Sequence, residues 1–292
     1  MSHVLTLVVD RTSATLSDAI IARVGAVIQS RPAVLLSPGE AADLPCAAPP
    51  DMAAVAAALE GTAVDAIPTR ARGRRKGLLV ADMDSTIVTT ETLDELAAFA
   101  GLKERIAAIT RRAMNGELDF PAALRERVGM LAGLPLTALE ETWARTELMP
   151  GARELVATMR AHNATTALVS GGFSYFTSRV AEAVGFHIQR SNVLFDDGRA
   201  LTGKVGEPIQ GKDAKLAALR ELAAARGLKM AATLAVGDGA NDLPMLLEAG
   251  LGVAFRAKPV VAAQARAQVR HATLRALLFA QGYRLNEIVG AD

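Results

Sequence analysis

The run Leu78-Leu79-Val80-Ala81-Asp82-Met83-Asp84-Ser85-Thr86 constrains this chain most, because a short apolar stretch suited to a buried strand breaks off into two carboxylates and two hydroxyls. Strand residues alternate faces, so an extended backbone as far as residue 84 directs Asp82 and Asp84 to the same side at the strand's carboxyl end. In open parallel α/β sheets that edge is where ligands bind. Two carboxylates so close repel unless a cation lies between them or one keeps its proton, so the pattern points to a metal site or an acid/base pair. The same letters also suit a helix start, where Asp, Ser and Thr cap free amides.

Three further segments weigh against a mere cap. Thr166-Ala167-Leu168-Val169-Ser170-Gly171-Gly172-Phe173 is a second apolar run, ending in a hydroxyl and two glycines ahead of a helical stretch. Glycines let backbone amides approach an anion closely, and a helix start adds its positive end, although a plain strand-to-helix turn would use the same residues. Lys212, in Gln210-Gly211-Lys212-Asp213-Ala214-Lys215, opens a helix running to about Arg226, a position the helix dipole mildly disfavours for a cation; a solvated surface lysine is the alternative. In Leu234-Ala235-Val236-Gly237-Asp238-Gly239-Ala240-Asn241-Asp242-Leu243-Pro244 a strand enters a tight turn with two more carboxylates and an amide. A capping loop needs one such side chain, and Asp238, Asn241 and Asp242 together exceed that need.

Taken in order, Asp-x-Asp-Ser-Thr, Ser-Gly-Gly, a lysine and Gly-Asp-Gly-Ala-Asn-Asp resemble the four signature motifs of the haloacid dehalogenase superfamily of phosphotransferases. Glu91, nine residues after Asp82, and the segments Arg112 to Phe120 and Leu124 to Val128 are similar to the substrate-selecting cap of its phosphoserine phosphatase family, with the resemblance spanning roughly residues 75 to 285. The resemblance implies an α/β fold: a Rossmann-like core with a parallel sheet, an inserted helical cap and a small N-terminal α/β domain. It also implies hydrolysis of O-phospho-L-serine through an aspartyl phosphate, with Asp82 as nucleophile and Asp84 as the acid and then the base. Mg2+ would be held by Asp82, Asp238, the backbone carbonyl of Asp84, and Asp242 in or beside the shell. Lys212, Ser170, the amides of Gly171 and Gly172, and Asn241 would share or place the phosphoryl group.

Reading a small zwitterion requires a carboxylate for its ammonium and a forked cation for its carboxylate, roles the resemblance implies for Glu91 and Arg127. Met114 and Phe120 would close over the substrate. On their own residues, Glu91 reads sooner as a capping-box or first-turn helix acid and Arg127 as a solvent-facing salt-bridge partner, and it is the resemblance that turns both toward function. Two rival functions share the motifs: a phosphotransferase that passes the phosphoryl group to another alcohol such as homoserine, and a signalling protein that keeps the aspartyl phosphate as a switch.

The whole chain fits a small-molecule enzyme. Its 292 residues suffice for a sizeable α/β core plus smaller units. With 32 Lys+Arg against 31 Asp+Glu the net charge is +1, which gives no ground for a nucleic-acid or anionic-membrane partner, while a homo-oligomer stays open. A lone cysteine, Cys46, excludes an internal disulfide, and neither a secretory leader nor a membrane-length apolar run is evident, so a cytoplasmic location is expected. The four histidines are scattered outside the motifs, which argues against a zinc cluster.

Residues 1–70 read as strand (Val4 to Val9), helix (Leu16 to Ile28), strand (Ala33 to Leu36), helix (Met52 to Leu59) and strand (Ala63 to Ile67). Residues 71–76 carry Arg72, Arg74, Arg75 and Lys76 and read as a solvated basic linker, followed by the core from 77 to 292. Residues 92–148 show helical spacing throughout, as an inserted cap would.

Overall fold

A computed structural model describes residues 2–114 and 117–290, with the side chains of residues 111, 113, 114 and 212 outside the described set. The chain opens with β1 (His3–Val8), α1 (Asp18–Val27), β2 (Val34–Ser37), β3 (Ala41–Cys46), α2 (Met52–Ala58) and β4 (Asp65–Arg70). These strands form an antiparallel sheet in the order β2-β3-β1-β4. Period-two alternation splits its faces: Leu5, Leu7, Ala42 and Leu44 pack under α1 and α2, which contribute Val24 and Val55.

The strand β3 is missing from the sequence expectation, because Asp43 and Pro45 break its apolar pattern. Pairing with β2 ends at Asp43, and the Pro45 carbonyl on that same side accepts the Arg31 amide, so the missing N–H of Pro45 costs no ladder bond. Asp43 is tolerated because Thr6 and Arg74 donate to it.

The second sheet begins with β5 (Leu78–Ala81), whose four residues are fully buried. A strand covered on both faces wants this continuous apolar run, and each large side chain so buried contributes about 1.5–3 kcal/mol. A helical insertion follows: α3 (Thr92–Phe99), α4 (Lys103–Met114), α5 (Phe120–Gly129) and α6 (Thr137–Ala144). Alternation resumes with α7 (Ala152–Ala161), β6 (Thr165–Phe173), α8 (Ser174–Val184) and β7 (Ile188–Asn192). A hairpin of β8 (Leu194–Asp196) and β9 (Leu201–Val205) turns at Gly198, whose φ of +86° suits glycine. Then come α9 (Lys212–Ala225), β10 (Thr233–Gly237), α10 (Leu243–Glu248), β11 (Leu251–Phe255), α11 (Pro259–Ala262), β12 (Ala267–Val269) and α12 (Ala276–Ala280). The sheet order is β12-β11-β10-β5-β6-β7, every pairing parallel, so all six carboxyl ends share one edge.

The segment 71–76 is not a solvated tether. Arg74 donates to both Asp43 oxygens, to Thr6 Oγ1 and to the Phe279 and Ala280 carbonyls at 2.5–3.1 Å. Arg75 stacks 4.3 Å from the Tyr283 ring centroid, and Lys76 Nζ donates to the Ala231 carbonyl. Around this seam Glu40 takes a two-pronged bond from Arg275 at 2.8 and 2.9 Å, both side chains 4% exposed. Asp65 accepts the amides of Arg270, His271 and Ala272. The outer face of the first sheet, through Val8, Leu36, Ala41 and Ile67, belongs to the same apolar core as Leu277 and Phe279 of α12. Clustered arginines read as solvent charge because their partners are remote in sequence, Thr6 and Asp43 on one side and Phe279, Ala280 and Tyr283 some 200 residues on.

Replacing Glu40 by alanine leaves the buried Arg275 guanidinium facing Glu154 at 3.8 Å without its two-pronged partner, and should cost up to roughly 3–5 kcal/mol of stability. Calorimetry should show a lowered Tm while turnover per folded molecule is retained; an unchanged Tm would mean that this ion pair does not hold the seam.

Candidate active site

The sequence leaves β5 toward β6 on one side and returns through β10 on the other, so the sheet reverses its winding between β5 and β10. Such a switch point opens a crevice beyond the strand ends. Register fixes what lies there: Ala81 is level with Val236 of β10 and Leu168 of β6, which sets Asp82, Asp238 and Ser170 at neighbouring tips. The Asp82 amide keeps the ladder going by donating to the Val236 carbonyl at 3.0 Å. Beyond it the chain coils tightly, with the amides of Thr86, Ile87 and Val88 all directed at the Met83 carbonyl and Ser85 at φ +55°.

Carboxylate oxygens of Asp82, Asp238 and Asp242 come within 4.8 Å of one another, and all three residues are buried. A buried ammonium compensates them in part. Lys215 Nζ sits 2.7 Å from Asp82 Oδ1 and 2.6 Å from Asp242 Oδ1, with its side chain 3% exposed. Burial works to lower the pKa of Lys215, but the two carboxylates override it and hold the amine above the ordinary lysine range. Asp242 is fixed further by the Gly239 amide at 2.9 Å, and a β-carbon at Gly237 would collide with its carboxylate.

The lysine expectation is corrected here. Lys212 is the first residue of α9, and its side chain lies outside the described residues; the ammonium between the acids belongs to Lys215, one turn later. A sequence signal existed: Lys215, Ala218, Leu219, Leu222 and Ala223 follow the i, i+3, i+4, i+7, i+8 stripe that α9 turns to the core against Leu78 and Val80. A lysine in line with such a stripe has to meet buried charge.

Asp84 is set apart from this trio. Its carboxylate accepts from the Thr92 amide at 3.3 Å and from Thr92 Oγ1 at 3.4 Å, at the start of α3. Burial first, and then the Glu91 carboxylate, push its pKa up to about 7 against those hydrogen bonds. Glu91 is the N-cap residue of α3 but makes no side-chain cap; it accepts instead from Ser85 Oγ at 2.9 Å.

One cavity of about 140 Å³ collects Asp82, Asp84, Glu91, Phe120, Arg127, Ser170, Gly171, Gly172, Asp238 and Asn241, together with Asp94 and Lys258. Arg127 reaches it from α5; burial lowers the pKa of its guanidinium, with Asp94 and then Glu91 opposing. Its recorded hydrogen bond goes to its own helix, from Nε to the Ala123 carbonyl. Phe120 covers the cavity against glycines: a β-carbon at Gly171 or Gly211 would lie 3.4 and 3.6 Å from its ring. Ser170 is 2% exposed, and its Oγ accepts the Gly172 amide at 2.9 Å. Strand β6 runs on to Phe173, past the end at Ser170 that the sequence suggests. The side chain of Met114 lies outside the described residues. Sequence reasoning also missed Lys258, whose Nζ is 3.9 Å from Asp238 Oδ2.

The buried acids fit a hard divalent cation. Burial and Asp242 raise the pKa of Asp82 well above the carboxylate range despite Lys215, and burial and Asp242 bring Asp238 up to about 6. Crowded oxygen donors that resist ionising beside one another are what a dication relieves, and an all-oxygen set suits Mg2+ or its hard congeners over soft metals.

Comparison with known proteins agrees with this geometry. Residues 79–247 match the model of the haloacid dehalogenase-like hydrolase family. The chain is 48% identical over 194 residues to a phosphoserine phosphatase of Streptococcus thermophilus, covering 66% of this chain and 90% of that protein. It is 44% identical over 219 residues to phosphoserine phosphatase SerB2 of Mycobacterium tuberculosis, covering 75% of this chain but 54% of the relative. The crystal structure of a probable phosphoserine phosphatase from Vibrio cholerae superposes with a TM-score of 0.80 at 33% identity, covering 98% of this chain and 88% of that one. An acid-bearing strand tip at the switch point, a buried lysine between two acids and these matches lead to one assignment: the chain belongs to the haloacid dehalogenase-like hydrolases, in their phosphoserine phosphatase family.

Proposed function

We infer that this protein hydrolyses O-phospho-L-serine to L-serine and phosphate through a phosphorylated Asp82. The observation that carries this reading is a single small cavity in which a carboxylate and a guanidinium, Glu91 and Arg127, face the paired acids Asp82 and Asp84. A phosphorylated zwitterion matches that arrangement, with its ammonium toward Glu91, its carboxylate in the fork of Arg127 and its phosphate among the acids.

Asp82 attacks phosphorus with one carboxylate oxygen. The bond from phosphorus to the serine oxygen breaks, and Asp84 gives that oxygen its proton. A pKa of about 7 leaves Asp84 protonated in a useful fraction at neutral pH and able to act as base afterwards. Asp84 then takes a proton from the water that attacks the acyl phosphate, which restores Asp82. Lys215 meets the phosphoryl charge as a fixed ammonium, and the Ser170-Gly171-Gly172 turn offers a hydroxyl and amides. Mg2+ held by Asp82, Asp238 and Asp242 would neutralise phosphoryl charge that one lysine leaves uncompensated. Phe120 closes one side of the cavity against Gly171 and Gly211, which leaves less room for a second alcohol than for a water to reach the acyl phosphate.

Acid-quenched Asp84→Asn protein should retain phosphoryl label from an aryl phosphate, because the first step needs no acid for a good leaving group while the second lacks its base. The Asp82→Asn protein should retain none; label on it would remove Asp82 as nucleophile.

Glu91→Ala and Arg127→Ala should each lower kcat/KM for phosphoserine by roughly 10- to 100-fold, as loss of a charge-assisted bond of about 1.5–3 kcal/mol implies, and barely affect an aryl phosphate. Equal losses on both substrates would refute a role in selection.

Metal binding should weaken with acidity. Asp238 must give up its proton to serve as ligand, and Asp82 is raised as well, so below about pH 6 each further unit should reduce Mg2+ or Mn2+ affinity at least about tenfold, as read by calorimetric titration. Affinity flat from pH 7 to 5 would show that Asp238 is not a ligand.

A further inference from the structure

Asn192, the last residue of β7, is 2% exposed and outside the substrate cavity, yet its amide is spent entirely on two segments that the chemistry needs. Its Nδ2 donates to the Gly171 carbonyl at 2.9 Å and to the Gln210 carbonyl at 3.3 Å, while its Oδ1 accepts the Gln210 amide at 2.7 Å. On one side is the turn of Ser170, Gly171 and Gly172. On the other is the residue that precedes Gly211, the N-cap of the helix bearing Lys215.

We propose that Asn192 is the positioning residue that sets the phosphate-facing Gly171–Gly172 peptide against Lys215. In a trans peptide the carbonyl and the following N–H point in opposite directions. Holding the Gly171 carbonyl from behind therefore aims the Gly172 N–H the opposite way, onto Ser170 Oγ at 2.9 Å, in a turn so close to the acids that a β-carbon on Gly172 would lie 3.3 Å from Asp84 Oδ2. Glycines make this turn pliable, so its direction has to come from outside it. No other side chain among the described residues is recorded as donating to the Gly171 carbonyl. The same amide anchors Gln210 by both of its backbone groups, which fixes where α9 starts and so how far Lys215 reaches. Oriented donors are worth most when they need not reorganise as charge develops, and an error of about 1 Å in such a site costs on the order of 100-fold.

This inference rests on the phosphate-ester reading and deepens it, and its test keeps the two apart. Wild-type, Asn192→Asp and Asn192→Ala proteins are compared for kcat and KM on phosphoserine and on an aryl phosphate, for competitive inhibition by inorganic phosphate, and for Tm. Asn192→Asp keeps shape and the Gln210 N–H acceptor but turns an oxygen on two carbonyls; it serves if the alanine variant does not fold. Both variants should lose on the order of 10- to 100-fold in kcat/KM, equally on the two substrates, and phosphate should inhibit them correspondingly less. A lower Tm with both kcat/KM values and phosphate inhibition within about twofold of wild type would overturn the proposal, leaving Asn192 a packing residue. Loss confined to phosphoserine would overturn it too. A wild-type protein inert on phosphoserine but active on the aryl phosphate would defeat the substrate assignment alone, and phosphate binding by calorimetry reads Asn192 even without turnover.

Discussion

The salt-bridged ammonium of Lys215 is the interaction on which the rest of the site depends. Carboxylates at adjacent strand tips cannot all be buried and ionised without compensation, and the sheet's winding forces Asp82 and Asp238 to be neighbours. Lys215 compensates one charge from below, through the helix that also packs its leucines on β5. What remains is a negative excess open to the cavity. That excess is the physical ground for a dication, and Asp82 sits where both positive partners reach it.

Around this centre the chain divides its tasks. The sheet edge provides groups that any phosphate ester would meet, whereas α3 and α5 bring Glu91, Arg127 and Phe120 to the cavity wall, and on the proposed reading these discriminate by charge and shape. Asp84 stands at the boundary, hydrogen-bonded to the first residue of α3 and raised toward neutrality by burial and by Glu91. On the proposed reading, substrate selection and proton transfer are electrostatically linked: an ammonium placed beside Glu91 would weaken the influence that keeps the Asp84 proton in place.

Much of this was legible in the sequence because strand tips announce themselves. Apolar runs ending in Asp82, Ser170 and Asp238 fixed the parallel edge, and the acids there were excessive for capping. Lys215 was passed over for Lys212 because a lysine within a helix interior resembles a surface residue until the apolar stripe is traced through it. The strand β3 escaped because Asp43 and Pro45 are admissible there only through Arg74 and the short reach of β2, both facts of tertiary structure. The basic segment 71–76 was misread for the same reason, since local sequence carries no trace of partners at Phe279, Ala280 and Glu287.

Those remote partners have a consequence for the order in which the molecule can be made. Glu40 with Arg275, Asp65 with His271, and Arg74 with Phe279 join positions more than 200 residues apart. During synthesis the first sheet emerges with one apolar face finished by its own helices and the other waiting, with acidic side chains already in place, for the last stretch of the chain. Until that stretch leaves the ribosome the half-covered sheet is a sticky surface, the kind of nascent intermediate that holdase chaperones protect.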